Sequence, residues 1–195
     1  MSRTAKLALA CALAFASLQS PLRADEYTVD PSHTSVIFGI SHLGYSFTYG
    51  RFNKVSGDFM LDPAKPETAS FTLAIDANSI DTNDAKRDDH LKGPDFLNTG
   101  EFPVIGFKSN KVDVKKEGET TVYVVSGELT MHGETKPVTL NLQKLGEGPG
   151  PTGQDFRTGF NCQTKLNRSE WGMTKMVPHI GDEVAVTISF EGIRK

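Results

Sequence analysis

The sequence predicts an all-β protein, an antiparallel barrel of about eight strands with one short helix near residues 83–92. Two observations and one physical requirement lead there. Apolar and polar residues alternate along most of the chain, as expected of half-buried strands whose successive side chains point to opposite faces. The 195 residues include 18 glycines and 10 prolines, a turn-rich composition that suits many short connections. Antiparallel strands joined by short loops must then close or stack, because an open sheet edge offers unpaired backbone groups to any passing strand.

The N-terminal segment stands apart. Arg3 and Lys6 precede an apolar run, Leu7–Leu18, and Gln19–Ala24 is short and mostly polar, ending on a small residue. This order of charge, apolar core and small residue predicts a secretory signal, residues 1–24, that is removed to leave one domain over residues 25–195. A cut after Ala16 is the alternative. The run is shorter than the roughly 20 residues that a membrane-spanning helix needs. Its removal takes away Arg3, Lys6, Arg23 and no acid, moving the net charge from −3 to −6. Such a charge argues against nucleic acid as a partner. The remaining chain keeps only Cys162, so no internal disulfide is available and the apolar core must hold the fold. Cys162, within an alternating segment, reads as a buried, inert thiol.

Strands are expected near 26–30, 34–42, 45–52, 56–62, 68–76, 103–114, 120–132, 136–146, 155–168 and 183–194, some of them halves of one bent strand. The last is the clearest: Val184, Val186, Ile188 and Phe190 share one face, and Thr187, Ser189 and Glu191 share the other. Phe71, Leu73 and Ile75 alternate likewise, as do Val138, Leu140 and Leu142. Asp62-Pro63, Glu117-Gly118 and His132-Gly133 mark short turns, and Gly146–Gly153 reads as a mobile hairpin loop. Asn83–Lys92 lacks β-branched residues and predicts the helix. Thr82 or Asn83 can cap it, Asp84 favours its positive end, and Gly93-Pro94 stops it. Arg87, His90 and Leu91 then share a face. Ser169–Asp182 reads as a second irregular stretch.

Motifs of chemistry are sparse. The five histidines, His33, His42, His90, His132 and His179, form no metal-binding spacing; His33 and His42 are expected to bond backbone near strand ends. There is no G-x-S-x-G, no phosphate-binding glycine loop, and no evident base for Cys162. The sequence therefore predicts a protein that is not an enzyme and carries neither metal nor cofactor. A small outer-membrane barrel would also alternate, but the chain ends Ile193-Arg194-Lys195 rather than on an aromatic residue, and its charge density suits water.

Four groups of residues, in order along nearly the whole of residues 25–195, resemble the YceI-like family of polyisoprenoid-binding periplasmic proteins. They are Tyr27-Thr28-Val29-Asp30-Pro31-Ser32-His33-Thr34 to His42; Ser79-Ile80-Asp81-Thr82 with Arg87-Asp88-Asp89-His90-Leu91 and Asp95-Phe96; Phe102-Pro103-Val104-Ile105-Gly106-Phe107 leading to Gly127-Glu128-Leu129-Thr130-Met131-His132-Gly133; and Arg168-Ser169-Glu170-Trp171-Gly172 with Gly181-Asp182-Glu183-Val184. Trp171 departs from the pattern, where Phe is expected, and its extra bulk is expected to reshape the cavity. The resemblance implies a lipocalin-like barrel, a periplasmic location, and an apolar cavity for an isoprenoid or other long-chain lipid.

Such a ligand needs an apolar channel with a few polar groups at one end. Candidate ligand-binding residues are Phe38, Ile40, Phe47, Phe71, Leu73, Phe107, Leu129, Met131, Trp171, Met176, Ile188 and Phe190, with Arg87 and His90 nearest a head group. Arg87 has two readings. It pairs with a phosphate or carboxylate of the ligand, or with Asp88 or another acid that pins the helix across the barrel. Three functions stand side by side: a periplasmic lipid carrier, a broad stress-related scavenger of apolar molecules, and a hydrolase of lipid conjugates. Transient membrane contact and a homodimer are both open.

Overall fold

The computed structural model describes residues 24–195. The expected signal segment falls outside the described residues except for Ala24. Eleven antiparallel strands form one sheet: β1 (Asp25–Val29), β2 (Ser35–His42), β3 (Ser46–Phe52), β4 (Val55–Leu61), β5 (Ser70–Asp76), β6 (Ile80–Asp81), β7 (Val104–Glu117), β8 (Thr120–Met131), β9 (Glu134–Pro149), β10 (Phe156–Asn167) and β11 (Ile180–Arg194). Six of these are halves of bent paths. β1 and β2 lie along the same edge of β11, β4 and β3 pair with β1 and β2 in turn, and β5 and β6 pair with β4 and β3. The result is an eight-stranded antiparallel barrel closed between β1 and β11. The expected strands are present, and the two-residue β6 adds one that alternation is too short to show.

The bends have identifiable causes. Pro31 lacks an N–H and begins a single helical turn, Pro31–His33, between β1 and β2. Asp30 caps that turn, accepting from the Ser32 N–H at 2.9 Å and hydroxyl at 2.6 Å. His33 Nδ1 donates to the same carboxylate at 2.8 Å, not to backbone as its position near a strand end suggests. Arg157 on β10 completes the rivet, with one nitrogen 2.8 Å from Asp30 and 2.9 Å from Glu191, and another 2.8 Å from Asp155. Ligand atoms of Asp30, His33 and Glu191 lie within 4.8 Å of one another, a spacing a cation can use, but the guanidinium already supplies the positive charge.

The Ser32 hydroxyl, followed by His33 and Arg157, holds the Asp30 carboxyl well below the usual carboxylate range. A depressed folded-state pKa stabilises the protein above the unfolded value and is lost as pH falls through the folded one. The expected result is that Asp30→Asn lowers the urea midpoint at pH 7 and flattens the decline of stability below about pH 4, the unfolded Asp value. Urea melts at pH 7 and pH 3 check it; parallel curves for both proteins would mean that Asp30 contributes nothing through its charge.

One half of the barrel is filled. Tyr27, Phe59, Phe71, Tyr123, Phe160 and Phe190 pack there, with ring centroids 5.0 Å apart for Tyr27–Phe59 and 5.3 Å for Phe160–Phe190, and an edge-on Phe71–Phe160 contact at 5.7 Å. Offset stacks and edge contacts at such distances contribute beyond simple burial. Gly192 allows this density, because a Cβ there would overlap the Phe59 ring. Cys162 lies in the same layer, and burial pushes its thiol up, as befits an inert thiol. Apolar side chains thus point inward, opposite to the polar interior of an outer-membrane channel.

The other half is capped rather than filled. Helix α1 (Ala85–Lys92) and the segment to Pro103 connect the two-residue β6, which pairs with β3, to the start of β7, which pairs with the end of β5. Asp84, not Thr82 or Asn83, caps the helix, accepting from the Arg87 N–H at 3.0 Å. Asn83 takes φ 62° and acts as the hinge into the helix instead. Gly146–Gly153 is also more regular than expected. β9 continues to Pro149, opposite Phe156, and only the six residues between the strands turn. Gly146 and Gly148 pair with β10, and a side chain at either position would face open space.

Candidate functional site

A cavity of about 400 Å³ occupies the capped half. Its floor is the aromatic layer, reached at Phe107 and Phe190, and its mouth lies among α1, the β2–β3 turn and the Ser169–Asp182 stretch. The volume falls within the range of roughly 300–1,000 Å³ typical of small-molecule pockets. β11 shows how the same alternation builds both halves. Phe190 is 2 % exposed in the packed floor, whereas Val184, Val186 and Ile188, on the same face nearer the mouth, are only half-buried. Inward apolar residues that remain reachable line a space rather than fill it.

The wall is almost entirely apolar. Its polar members are Thr34, His42, Thr48, Thr82, Arg87, His90, Thr164 and Arg168, with no carboxylate and no cysteine among them. Eleven of the fourteen sequence candidates lie on this wall: Phe38, Ile40, Leu73, Arg87, His90, Phe107, Leu129, Met131, Met176, Ile188 and Phe190. Three do not. Phe71 points inward but belongs to the sealed floor, 1 % exposed. Phe47 is outside, because register decides which face of β3 turns in. Phe38 and Ile40 of β2 face inward opposite Gly50 and Thr48, which puts Thr48 and Phe52 on the wall and Phe47 in water. Trp171 is buried beside the cavity, with Ala77, Leu97 and Ile105. Its indole N–H donates to the Leu129 carbonyl at 3.2 Å, and its own carbonyl accepts from His132 Nδ1 at 2.8 Å. Its bulk therefore braces the wall from behind and does not project into the cavity.

Sequence reasoning missed Thr48, Thr164, His42 and Arg168 on the wall. His42 was expected to bond backbone; its side chain instead faces the mouth, a position set by its parity with Phe38 and Ile40. Arg168 carries a stronger signal in hindsight, an arginine at the head of an irregular stretch. It is 5 % exposed and donates to four carbonyls, those of Gly181 at 2.9 Å, Met173 at 2.5 Å, Lys175 at 2.8 Å and Ile180 at 3.1 Å. Burial lowers its pKa, partly offset by Asp182. Asp182 in turn accepts from the Ser169 N–H at 2.9 Å and hydroxyl at 2.7 Å, closing the ends of the stretch on each other.

Arg87 makes neither of the pairings its sequence suggests within the chain. Its Nε donates to the Thr82 hydroxyl at 2.8 Å and one terminal nitrogen to the Thr82 carbonyl at 2.7 Å. Asp88 is engaged separately, by the Thr82 N–H at 2.9 Å and hydroxyl at 2.6 Å. Thr82 therefore ties the helix to β6, and the guanidinium forms no ion pair among the described residues. His90, one turn on, stands edge-on to Phe96 at 5.0 Å. The mouth thus presents a cation and an imidazole over an apolar bore.

Residues 27–192 match the model of the YceI-like domain. The UPF0312 protein of Shewanella baltica (strain OS185) is 39 % identical over 97 % of this chain and 100 % of its own. Among solved structures, BcnA of Burkholderia cenocepacia superimposes with a TM-score of 0.74 at 24 % identity, covering 84 % of this chain and 98 % of that one. A domain from Saccharophagus degradans, described as polyisoprenoid binding and implicated in plant cell wall breakdown, gives a TM-score of 0.64 at 18 % identity over 87 % of this chain and 98 % of that one. The two structures share the barrel, and the family match spans almost every described residue: the chain belongs to the YceI-like family.

Proposed function

We propose that the protein is a periplasmic carrier that holds a long-chain isoprenoid or similar amphiphile, tail in the cavity and anionic head at the mouth. The observation that carries this reading is the wall itself: mostly apolar, free of carboxylates, and crossed at the rim by a guanidinium with no acidic partner among the described residues. The description of the Saccharophagus degradans domain as polyisoprenoid binding supports the ligand class. The leader-like order of residues 1–24 together with the family resemblance supports the periplasm; a leader alone would also suit full secretion.

Affinity is bounded. Burying ~30 methylene equivalents at ~0.8 kcal/mol each would nominally exceed the practical ceiling of roughly 18–21 kcal/mol, so ordering of the chain offsets much of the gain. Selectivity then comes from the head. Arg87→Ala is expected to weaken an anionic polyprenyl phosphate by about tenfold and the matching neutral polyprenol little, since a charge-assisted hydrogen bond contributes about 1.5–3 kcal/mol before solvent screening. Equal losses for both ligands, or a lower thermal midpoint, would mean that Arg87 acts only through Thr82.

Native mass spectrometry of protein purified from its host, followed by extraction and identification of bound lipid, tests the whole reading. One dominant isoprenoid supports the carrier. A mixture of unrelated amphiphiles replaces it with the scavenger. A cavity that stays empty when offered polyprenyl phosphates and quinones overturns both.

A further inference from the structure

We infer that the rim of the cavity is a membrane-docking surface, formed by the β2–β3 turn and the neighbouring Met176–Val177 segment, through which an anionic lipid bilayer delivers ligand to the cavity. The inference rests on the lipid reading of the cavity and adds the surface where the lipid is exchanged.

Four large side chains of the hairpin are exposed: Leu43, Tyr45 at 88 %, Phe47 at 61 % and Tyr49 at 66 %. Met176 and Val177 lie beside them, held there by the Leu43 N–H bonding the His179 carbonyl at 2.7 Å. Soluble surfaces seldom gather this many apolar and aromatic groups without a partner. Phenylalanine, leucine and tyrosine are the side chains that settle at the boundary of head groups and acyl chains. The patch is continuous with the cavity, because Met176 is both exposed and part of its wall, and Thr48 faces inward between the outward Phe47 and Tyr49.

Charge is compatible with an anionic bilayer. The segments 35–53 and 171–181 contain no Asp or Glu in a chain that has 24, and they carry Arg51, Lys175, His42 and His179. Lys175 is paired with Asp95 at 3.1 Å and Arg51 lies opposite Asp81, so neither acts as an isolated cation. The two apolar segments thus add no negative charge of their own to this face, which limits the repulsion that a net acidic molecule would meet at an anionic surface.

Backbone strain points the same way. Leu43 holds φ at 54°, the left-handed region, in a turn where Asn or Gly would be at ease. A branched apolar residue retained in that conformation at an exposed tip contributes nothing to the core. The projecting tip also suits insertion between lipids better than the flat, close-packed contact of a second copy. A copy seated there would cover the mouth.

The test uses flotation with vesicles of phosphatidylethanolamine and phosphatidylglycerol, and with phosphatidylcholine alone, on protein purified from its host. The wild type is compared with Leu43→Asn/Tyr45→Ser prepared the same way, so that any contribution from residues outside the hairpin cancels. The wild type is expected to float with the mixed vesicles and several-fold less with phosphatidylcholine. The double variant should lose at least tenfold of that binding, with an equal or higher thermal midpoint, since Asn relieves the strained φ. It should still bind polyprenyl phosphate in vesicle-free solution. A wild type that ignores vesicles, or a variant that floats equally, overturns the inference. So does a wild-type dimer in sedimentation that the double variant abolishes, which would assign the patch to a second copy. Vesicle binding lost in the variant while the wild-type cavity takes no lipid would uphold the docking surface and overturn the carrier reading alone.

Discussion

Val186→Trp is expected to reduce binding of a polyprenyl phosphate by at least 100-fold while the barrel stays folded. Val186 sits midway along the bore, opposite Phe38 on β2 and Thr164 on β10, with its side chain on the cavity wall. An indole there occupies space the tail must cross. In a packed core the same substitution costs roughly 1–3 kcal/mol through forced displacement of neighbours. Here the added ring meets a void, and filling an apolar void recovers contact energy instead, about 24 cal/mol per Å³ filled. Binding and stability should therefore separate, with affinity collapsing and the urea midpoint unchanged or raised. Titration by native mass spectrometry alongside urea melts reads both. Undiminished binding would place the ligand outside the barrel, and a large loss of stability would return the half-buried residues of β11 to an ordinary core.

Arg168→Met should act in the opposite sense, destabilising the protein by about 3–5 kcal/mol, the scale of breaking a buried charged network. The substitution keeps most of the volume but strands the carbonyls of Met173, Lys175, Ile180 and Gly181, each of which accepts from the guanidinium. A buried acceptor left without a donor costs about 1–3 kcal/mol, reduced where water can replace the donor. Arg168→Lys should fare little better, because one ammonium cannot reach four carbonyls set around a planar fork. Hydrogen exchange is the discriminating measurement, with protection expected to fall first over residues 169–182 and only later in the strands. Uniform loss across β7–β11 would show that the stretch has no independent role.

The barrel was legible because its strands are long and one-sided. β11 displays Val184, Val186, Ile188 and Phe190 against Thr187, Ser189 and Glu191, and no helix accommodates that period. The short helix was legible from the lack of β-branched residues before Gly93. Its cap was not, since Thr82, Asn83 and Asp84 are all good capping residues and only the geometry selects Asp84. Depth within the barrel left no mark either: Phe71 and Phe107 alternate alike, yet one seals the floor and the other touches the cavity. β3 shows why parity can mislead. Its more apolar face, Phe47 and Tyr49, is outward, because pairing with β2 turns the smaller residues Thr48 and Gly50 toward Phe38 and Ile40. Hydrophobicity alone assigns that face inward, and the exposed aromatics are the feature it cannot anticipate.

The aromatic floor makes the bore a blind tube. Whatever enters must leave by the same opening and in reverse order, so the last part in is the first part out. For an amphiphile seated tail-first, the head remains on display throughout, and a receiver can inspect the cargo before any exchange begins. The sealed end also sets a fixed depth, so that under the carrier proposal the protein would act as a ruler: a chain shorter than the bore would pull its head below Arg87 at the rim, and a longer one would leave a length of tail exposed above it. Shortening the floor, by Phe190→Ala, should shift the preferred chain to a longer one.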